Sequence, residues 1–326
     1  MDIAFFGTKP YDKLWFEPLS KEYSCQIHFI EAKMNSDTVV LAEGSNAVCI
    51  FVNDYVTAEV AQRLSSMGIK LILLRCAGFN NVDLSATKEL GITVLRVPSY
   101  SPAAVAEFSM AAILAVNRQL HRAYNRTRDF NMSINGLMGR DMNCKTAGVI
   151  GTGKIGQCMI DIFNGFHMKV LAYDVYPNEN LDAVYVPLDE LFEKSDFISL
   201  HCPLTKDTYH IINGNSIARM RPGVIISNTS RGSLIDSNAL LEGLKEGKIG
   251  GVALDVYEEE EGIFYEDVSG KIIQDDVLSR LSTFPNVLIT SHMGFFTREA
   301  MQAIAIETLE NAFAYENGMK LLNIVQ

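Results

Sequence analysis

Three short stretches of this sequence end an apolar run in a side chain able to do chemistry. "GVIISNTSRG" runs into Arg231, "IGGVALDVYEEEE" into Asp255 and four glutamates, and "NVLITSHMG" into His292. Undivided apolar runs of this kind mark strands buried on both faces. In open α/β sheets, ligands sit beyond the carboxyl ends of such strands. Arginine offers a planar fork that grips a carboxylate at two points. Histidine gives or takes a proton near neutrality, and a carboxylate beside it favours the charged ring. A carboxylate clamp, a proton donor and a group that keeps the donor charged together fit reduction of a 2-oxo acid by a nicotinamide.

Each residue also has a plainer reading. Arg231, followed by a glycine, could simply cap or pair within a loop. The run from Glu258 to Glu261 reads by composition as charge in water. Among the other histidines, His28 lies within a strand, His121 on a helix, and His167 and His210 near turns. His201, in "SLHCP", ends a strand just as His292 does. The residues alone leave these two open.

A second kind of chemistry is written in "VIGTGKIG", with glycines at 151, 153 and 156 between a strand and a helix. Gly151 permits a tight turn, Gly153 lets backbone approach a pyrophosphate, and Gly156 lets helix and strand pack closely. The helix N-terminus then offers N–H groups and a positive dipole end to the anion. The next strand, "KVLAYD", ends in Asp174, whose carboxylate suits ribose hydroxyls and repels a 2′-phosphate. The pattern therefore points to NAD rather than NADP.

These segments need elements to position them. Strand-like runs "IAFFG", "CQIHFI", "AVCIFV", "KLILLRCAG" and "ITVLRV" alternate with helix-like pieces up to about Pro98. "SPAAVAEFSMAAILAVNRQLHRAYNRTRD" then reads as one long helix, and a second alternation begins at "TAGVIGTGKIG". Repeated β-then-α units specify parallel sheets covered on both faces. Because the glycine loop lies in mid-chain, one domain precedes the nucleotide domain, and the final helix, "TREAMQAIAIETLENAFAYENG", can return to it. The stretch from Glu258 to Pro285 is polar and aperiodic, and reads as a long loop of the kind that carries function.

Composition narrows the classes. The 326 residues are 48% hydrophobic, enough for two cores, and the formal net charge is -11. With no basic tail or cluster, nucleic acid and anionic membrane are poor partners. The six cysteines are scattered without metal-ligand spacing and imply reduced thiols and no metal site. No signal peptide or membrane-length apolar segment is seen, so a cytoplasmic protein is expected.

Taken in order, "GVIGTGKIG", "ISLHCPLT", "NTSRGSLID", "ALDVYEEE" and "SHMGFFT" resemble the D-isomer-specific 2-hydroxyacid dehydrogenase family. "LRCAGFNNVDL", "RVPSYSPAAVAE" and "IQDDVLSRL" bring the likeness closest to its fermentative, pyruvate-reducing branch. The resemblance spans essentially the whole chain. It implies two Rossmann-like parallel-sheet α/β domains with a cleft. One is a flavodoxin-like substrate domain of residues 1–98 plus 297–326, and the other a doubly wound NAD-binding domain of residues 99–296.

The resemblance also implies roles. Arg231 holds the substrate carboxylate, His292 is the acid–base residue in place of His201, and Glu260 is its partner, leaving Glu258, Glu259 and Glu261 solvated. Ala77 and Gly78 supply backbone amides to the substrate, while Tyr100 and Phe296 shape its pocket. Lys154, Ile155, Asp174, Cys202, Pro203, Thr208, Thr229 and Ser230 join the glycines as NAD contacts, with Asp255 beside the nicotinamide. Met293-Gly294 stands where relatives often carry another residue and then Ala. That change implies added room or flexibility near the pocket, and a longer substrate, such as 2-hydroxyisocaproate or phenyllactate, is the alternative. A dinucleotide-sensing binding protein is the reading of another class, and the intact Arg231, Glu260 and His292 argue against it. The apolar helix from Ala103 and the resemblance together imply a homo-oligomer, a dimer or built of dimers.

Overall fold

The computed structural model describes residues 1–260 and 262–325. The chain forms two compact units, one of residues 1–101 with 296–326 and one of residues 102–295. The crossings thus fall a few residues from the 98–99 and 296–297 read in the sequence.

In the first unit, β1 (Asp2–Phe5), α1 (Pro10–Glu22), β2 (Gln26–Phe29), β3 (Ala47–Ile50), α2 (Ala58–Ser66), β4 (Leu71–Leu74), α3 (Leu84–Glu89) and β5 (Thr93–Arg96) follow one another. The sheet is parallel, in the order β2-β1-β3-β4-β5, which is the flavodoxin-like order. Every residue of β3 and β4 is buried, because helices cover both faces. Helix starts carry their own caps: Thr57 accepts the Val60 N–H and Asp83 the Ala86 N–H.

The second unit contains α4 (Pro102–Asn117), α5 (Leu120–Arg128), β6 (Thr146–Ile150), α6 (Lys154–Gly165), β7 (Lys169–Tyr173), β8 (Val184–Tyr185), α7 (Leu188–Lys194) and β9 (Phe197–Leu200). It continues through α8 (Gly214–Arg219), β10 (Val224–Asn228), α9 (Ser237–Lys245), β11 (Ile249–Leu254), α10 (Asp276–Leu281) and β12 (Val287–Ile289). Its parallel sheet runs β12-β11-β10-β9-β6-β7-β8. β6 has the next strand in sequence on one side and β9 on the other. That is the switch point at which doubly wound sheets take a ligand. The last helix, α11 (Arg298–Glu316), belongs to the first unit, where it packs on α1 and beside β4.

Two sequence expectations change. The long helix from Pro102 is two helices, broken where Gln119 takes a left-handed φ of 54°. At the break, the Asn117 side chain is tied to the backbone of Arg140, donating to its oxygen at 2.8 Å and accepting from its nitrogen at 3.3 Å. A chain crossing the helix end this closely stops the helix. The 258–285 loop also contains α10, started by Asp275, which accepts the Leu278 N–H at 2.8 Å. Among the described residues, no helix is long and apolar enough to cross a membrane.

Candidate active site

β10, β11 and β12 lie side by side with their ends level: Asn228 pairs with Leu254, and Leu254 with Ile289. Backbone bonding continues one step further, from Asp255 N–H to Asn228 O and from Thr290 N–H to Leu254 O, both 2.9 Å. Arg231, the segment Asp255–Glu260 and His292 therefore leave one carboxyl edge from three neighbouring strands.

His292 Nδ1 lies 3.0 Å from Glu260 Oε1. The other oxygen, Oε2, accepts the Tyr257 N–H at 3.1 Å, which fixes the carboxylate. The His292 N–H donates to Asp255 O at 2.7 Å. Asp255, expected beside the nicotinamide, is buried with its carboxylate directed into the chain. It accepts the Thr290 hydroxyl at 2.6 Å and the Met293 and Gly294 N–H groups at 2.9 and 2.7 Å. The loop that presents the imidazole is braced from the neighbouring strand.

Gly294 does not add room, which corrects the sequence expectation. A Cβ there would lie 2.9 Å from Asp255 Oδ2 and 3.3 Å from the Phe108 ring, so the space is already filled. The glutamate run also needs correction. Glu258 is not a solvated charge: its Oε1 lies 2.5 Å from His210 Nε2, and its Oε2 accepts the Ser237 N–H at 3.3 Å. Glu259 is exposed, and Glu261 lies outside the described residues. Gly232 makes the join possible, because a Cβ on it would overlap the Tyr257 carbonyl and the Glu258 nitrogen. The loop of Arg231 is thus held against the segment that carries Glu260. The Arg231 guanidinium gives one N–H to Ser230 O at 2.7 Å, and among the described residues its other donors remain for a carboxylate.

His201 is differently placed. Its Nε2 is 2.8 Å from Ser199 Oγ, which continues to Ser109 at 3.1 Å and from there to Ser227 at 2.9 Å. The residue keeps some exposure, yet burial of the imidazole pushes its pKa down to about 4 from 6.5. At neutral pH it carries no charge to donate. An unfolded chain takes up this proton below about pH 6.5, whereas the folded chain waits until about 4. Stability therefore falls as pH drops through that window, by up to roughly 3 kcal/mol. His201→Asn should flatten the fall in urea midpoint between pH 7 and pH 5. An unchanged slope would assign the acid sensitivity to other groups.

At the switch point, Gly151 has a φ of 92°, and a Cβ there would overlap the backbone of His201 and Cys202. A Cβ on Gly156 would overlap the Gly151 carbonyl oxygen, so helix and turn touch. By contrast, a Cβ on Gly153 would meet nothing within 4 Å. Gly153 caps α6 without a side-chain bond to its amides, so the helix start, with Lys154 and Ile155, faces open space suited to a pyrophosphate. Asp174 Oδ2 accepts the Thr152 N–H at 2.6 Å and its hydroxyl at 3.1 Å, while Oδ1 accepts the Tyr176 N–H at 2.9 Å. The carboxylate is thereby held at the end of β7, with acceptor sites left over for hydroxyls.

Around this point, burial raises the Cys202 thiol to about 11, so it is neutral. Thr208 Oγ1 donates to Pro203 O at 2.7 Å, and Ser230 Oγ to Cys202 O at 2.7 Å, tying two strand ends together. Thr229 Oγ1 is buried without a hydrogen-bond partner among the described residues. A bound group would complete it, so the residues present fit a dinucleotide.

The remaining expected residues lie in the first unit. Ala77 and Gly78 follow β4, in a loop pinned by Arg96 Nη1 donating to Ala77 O at 2.9 Å and by the Cys76 thiol at 3.3 Å from Gly78 O. Tyr100 is half-buried, and Phe296 packs edge-on against Tyr11 with ring centroids 4.8 Å apart. Composition and motif reading missed Tyr265, whose hydroxyl donates to His292 O at 3.0 Å. Its only sequence signal was its place in the long stretch after Glu258.

The profile of the D-isomer specific 2-hydroxyacid dehydrogenase NAD-binding domain matches residues 110–294. A 2-hydroxyacid dehydrogenase homologue of Haemophilus influenzae is 49% identical, over 100% of this chain and 99% of its own. The D-lactate dehydrogenase of Escherichia coli is 50% identical, over 98% of each chain. The solved structure of a pyruvate reductase of Chlamydomonas reinhardtii superposes with a TM-score of 0.94 at 42% identity, covering 99% of this chain and 98% of that one. Likeness of this extent, reaching from the glycine turn at β6 to the last strand end at β12, makes the chain a member of the D-isomer specific 2-hydroxyacid dehydrogenase family, with an NAD-binding domain in its second unit.

Proposed function

We propose that this protein is a D-lactate dehydrogenase that reduces pyruvate to D-lactate reversibly. The observation that carries the reading is the Glu260–His292 pair, delivered by the two strands beside that of Arg231 at a single sheet edge. Bound NADH supplies the hydride for C2 of the substrate. His292 engages Glu260 through Nδ1 and so keeps Nε2 for the proton that goes to the carbonyl oxygen. Glu260, fixed by the Tyr257 N–H, orients the imidazole through its Nδ1 edge. Arg231 holds the carboxylate with the donors that Ser230 O does not use. In the first unit, the backbone amides of Ala77 and Gly78 offer donors suited to a carboxylate, and in the second Asp174 selects NAD.

The test is a panel of pyruvate, 2-oxoisocaproate and phenylpyruvate with NADH and with NADPH, with the configuration of the product determined. Pyruvate with NADH should give the highest kcat/KM and D-lactate the product. A higher kcat/KM for phenylpyruvate, or NADH binding with no turnover at all, would overturn the reading.

The same proposal includes a homo-oligomer. The apolar side of α4 is taken up within its own unit, against α6, β10 and β11. The segment after it is not covered: Phe130, Ile134 and Met138 are 87%, 83% and 94% exposed. Clustered exposure of this degree marks an interaction surface, and a second copy is its commonest partner. The double variant Phe130→Glu, Ile134→Glu should lower the mass measured by light scattering at micromolar concentration. An unchanged mass above that of one chain would place the contact elsewhere.

A further inference from the structure

His292 has a φ of 55°, in the left-handed region. That conformation costs free energy for any residue with a Cβ, so the surroundings must hold it. The Asp255 brace and the Glu260 bond all act from the end of β11. They fix the amide side of the residue and the Nδ1 edge of its ring, but neither its carbonyl nor the ring face.

Those two are met by Tyr265, which itself has a φ of 66°. Its hydroxyl donates to the His292 carbonyl oxygen at 3.0 Å. Its ring lies offset over the imidazole, with centroids 5.9 Å apart and planes 30° apart. The neighbouring Phe264 is buried in the core of the unit, which anchors the loop beneath it. One residue of the 258–275 stretch thus contacts the histidine twice, through backbone and through ring.

We propose that Tyr265 is a positioning residue for the acid–base step. It holds the imidazole in the plane that Glu260 requires and keeps the left-handed backbone of His292 from relaxing. The proposal rests on the reading of His292 as proton donor, and it makes the stretch after Glu260 a working part of the site. Tyr265 meets the backbone carbonyl and the ring of His292, so its loss should slow proton transfer without weakening the grip on either substrate.

Tyr265→Phe removes the hydroxyl and keeps the ring, whereas Tyr265→Leu removes both. Steady-state kinetics with pyruvate and NADH should show kcat lowered about fivefold in the first and about thirtyfold in the second. KM for pyruvate and the Kd of NADH should stay within about twofold of wild type in both. Wild-type kcat in both variants would overturn the proposal while leaving the functional reading intact. A fall in NADH affinity matching the fall in kcat would overturn it too, by assigning Tyr265 to the fold. A wild-type enzyme that turns over no 2-oxo acid would sink the functional reading and the role of Tyr265 with it.

Discussion

His292→Asn should lower kcat for pyruvate by about 10²–10⁴-fold, the contribution of a positioned general acid. The Kd of NADH, read by titrating cofactor fluorescence, should stay within about twofold. Asparagine is the informative choice because it tolerates the left-handed φ of 55° that this position demands. The backbone bond to Asp255 and the bracing of 290–294 survive the change. What disappears is a group that can hold a proton near neutrality. A loss of cofactor binding equal to the loss of turnover would mean that the loop had collapsed, and the assignment would fail.

Gly232→Ala should damage both binding and stability, although the residue touches no reactant in the proposed mechanism. The added methyl would overlap the carbonyl of Tyr257 and the nitrogen of Glu258, both backbone atoms that no rotamer change can move. The chain must part there, carrying Arg231 away from the segment of Glu260 and straining the bond between Glu258 and His210. Overpacking of this kind costs about 1–3 kcal/mol, so thermal unfolding should drop by roughly 3–10 °C. KM for pyruvate should rise about tenfold or more, because the carboxylate clamp is the part displaced. Gly165→Ala is the control, since a Cβ there meets nothing within 4 Å; it should leave both quantities near wild type. If Gly232→Ala matched that control, the close approach would have no functional weight.

Some of this site was legible in the sequence, and the reason is physical. A buried parallel strand writes itself as an apolar run, and the polar residues that follow mark its end. Arg231, Asp255 and His292 all lie within three residues of such an end. Glycines that meet backbone leave an equally direct trace, as Gly151 and Gly156 do. Partners set far apart in the chain leave none. Nothing in "EEEE" says that Glu258 closes on His210, because that pairing depends on how two loops cross. The break between α4 and α5 was hidden for the same reason: Asn117 is stopped by Arg140, not by its own neighbours. The left-handed backbone at Tyr265 belongs to a side chain with no preference for it, so local sequence could not announce it.

The division of the chain has a consequence for how the protein comes into being on the ribosome. The unit of residues 102–295 is continuous, so it can fold as soon as its last strand has emerged. The other unit opens the chain and cannot close until α11 arrives to cover α1 and β4. At about 5–20 residues per second, its sheet waits roughly ten to forty seconds without the cover of α11. The fully apolar strands β3 and β4 are at their most exposed in that interval. A released chain truncated after residue 295 should therefore be chaperone-dependent in its first hundred residues and protease-resistant in the rest.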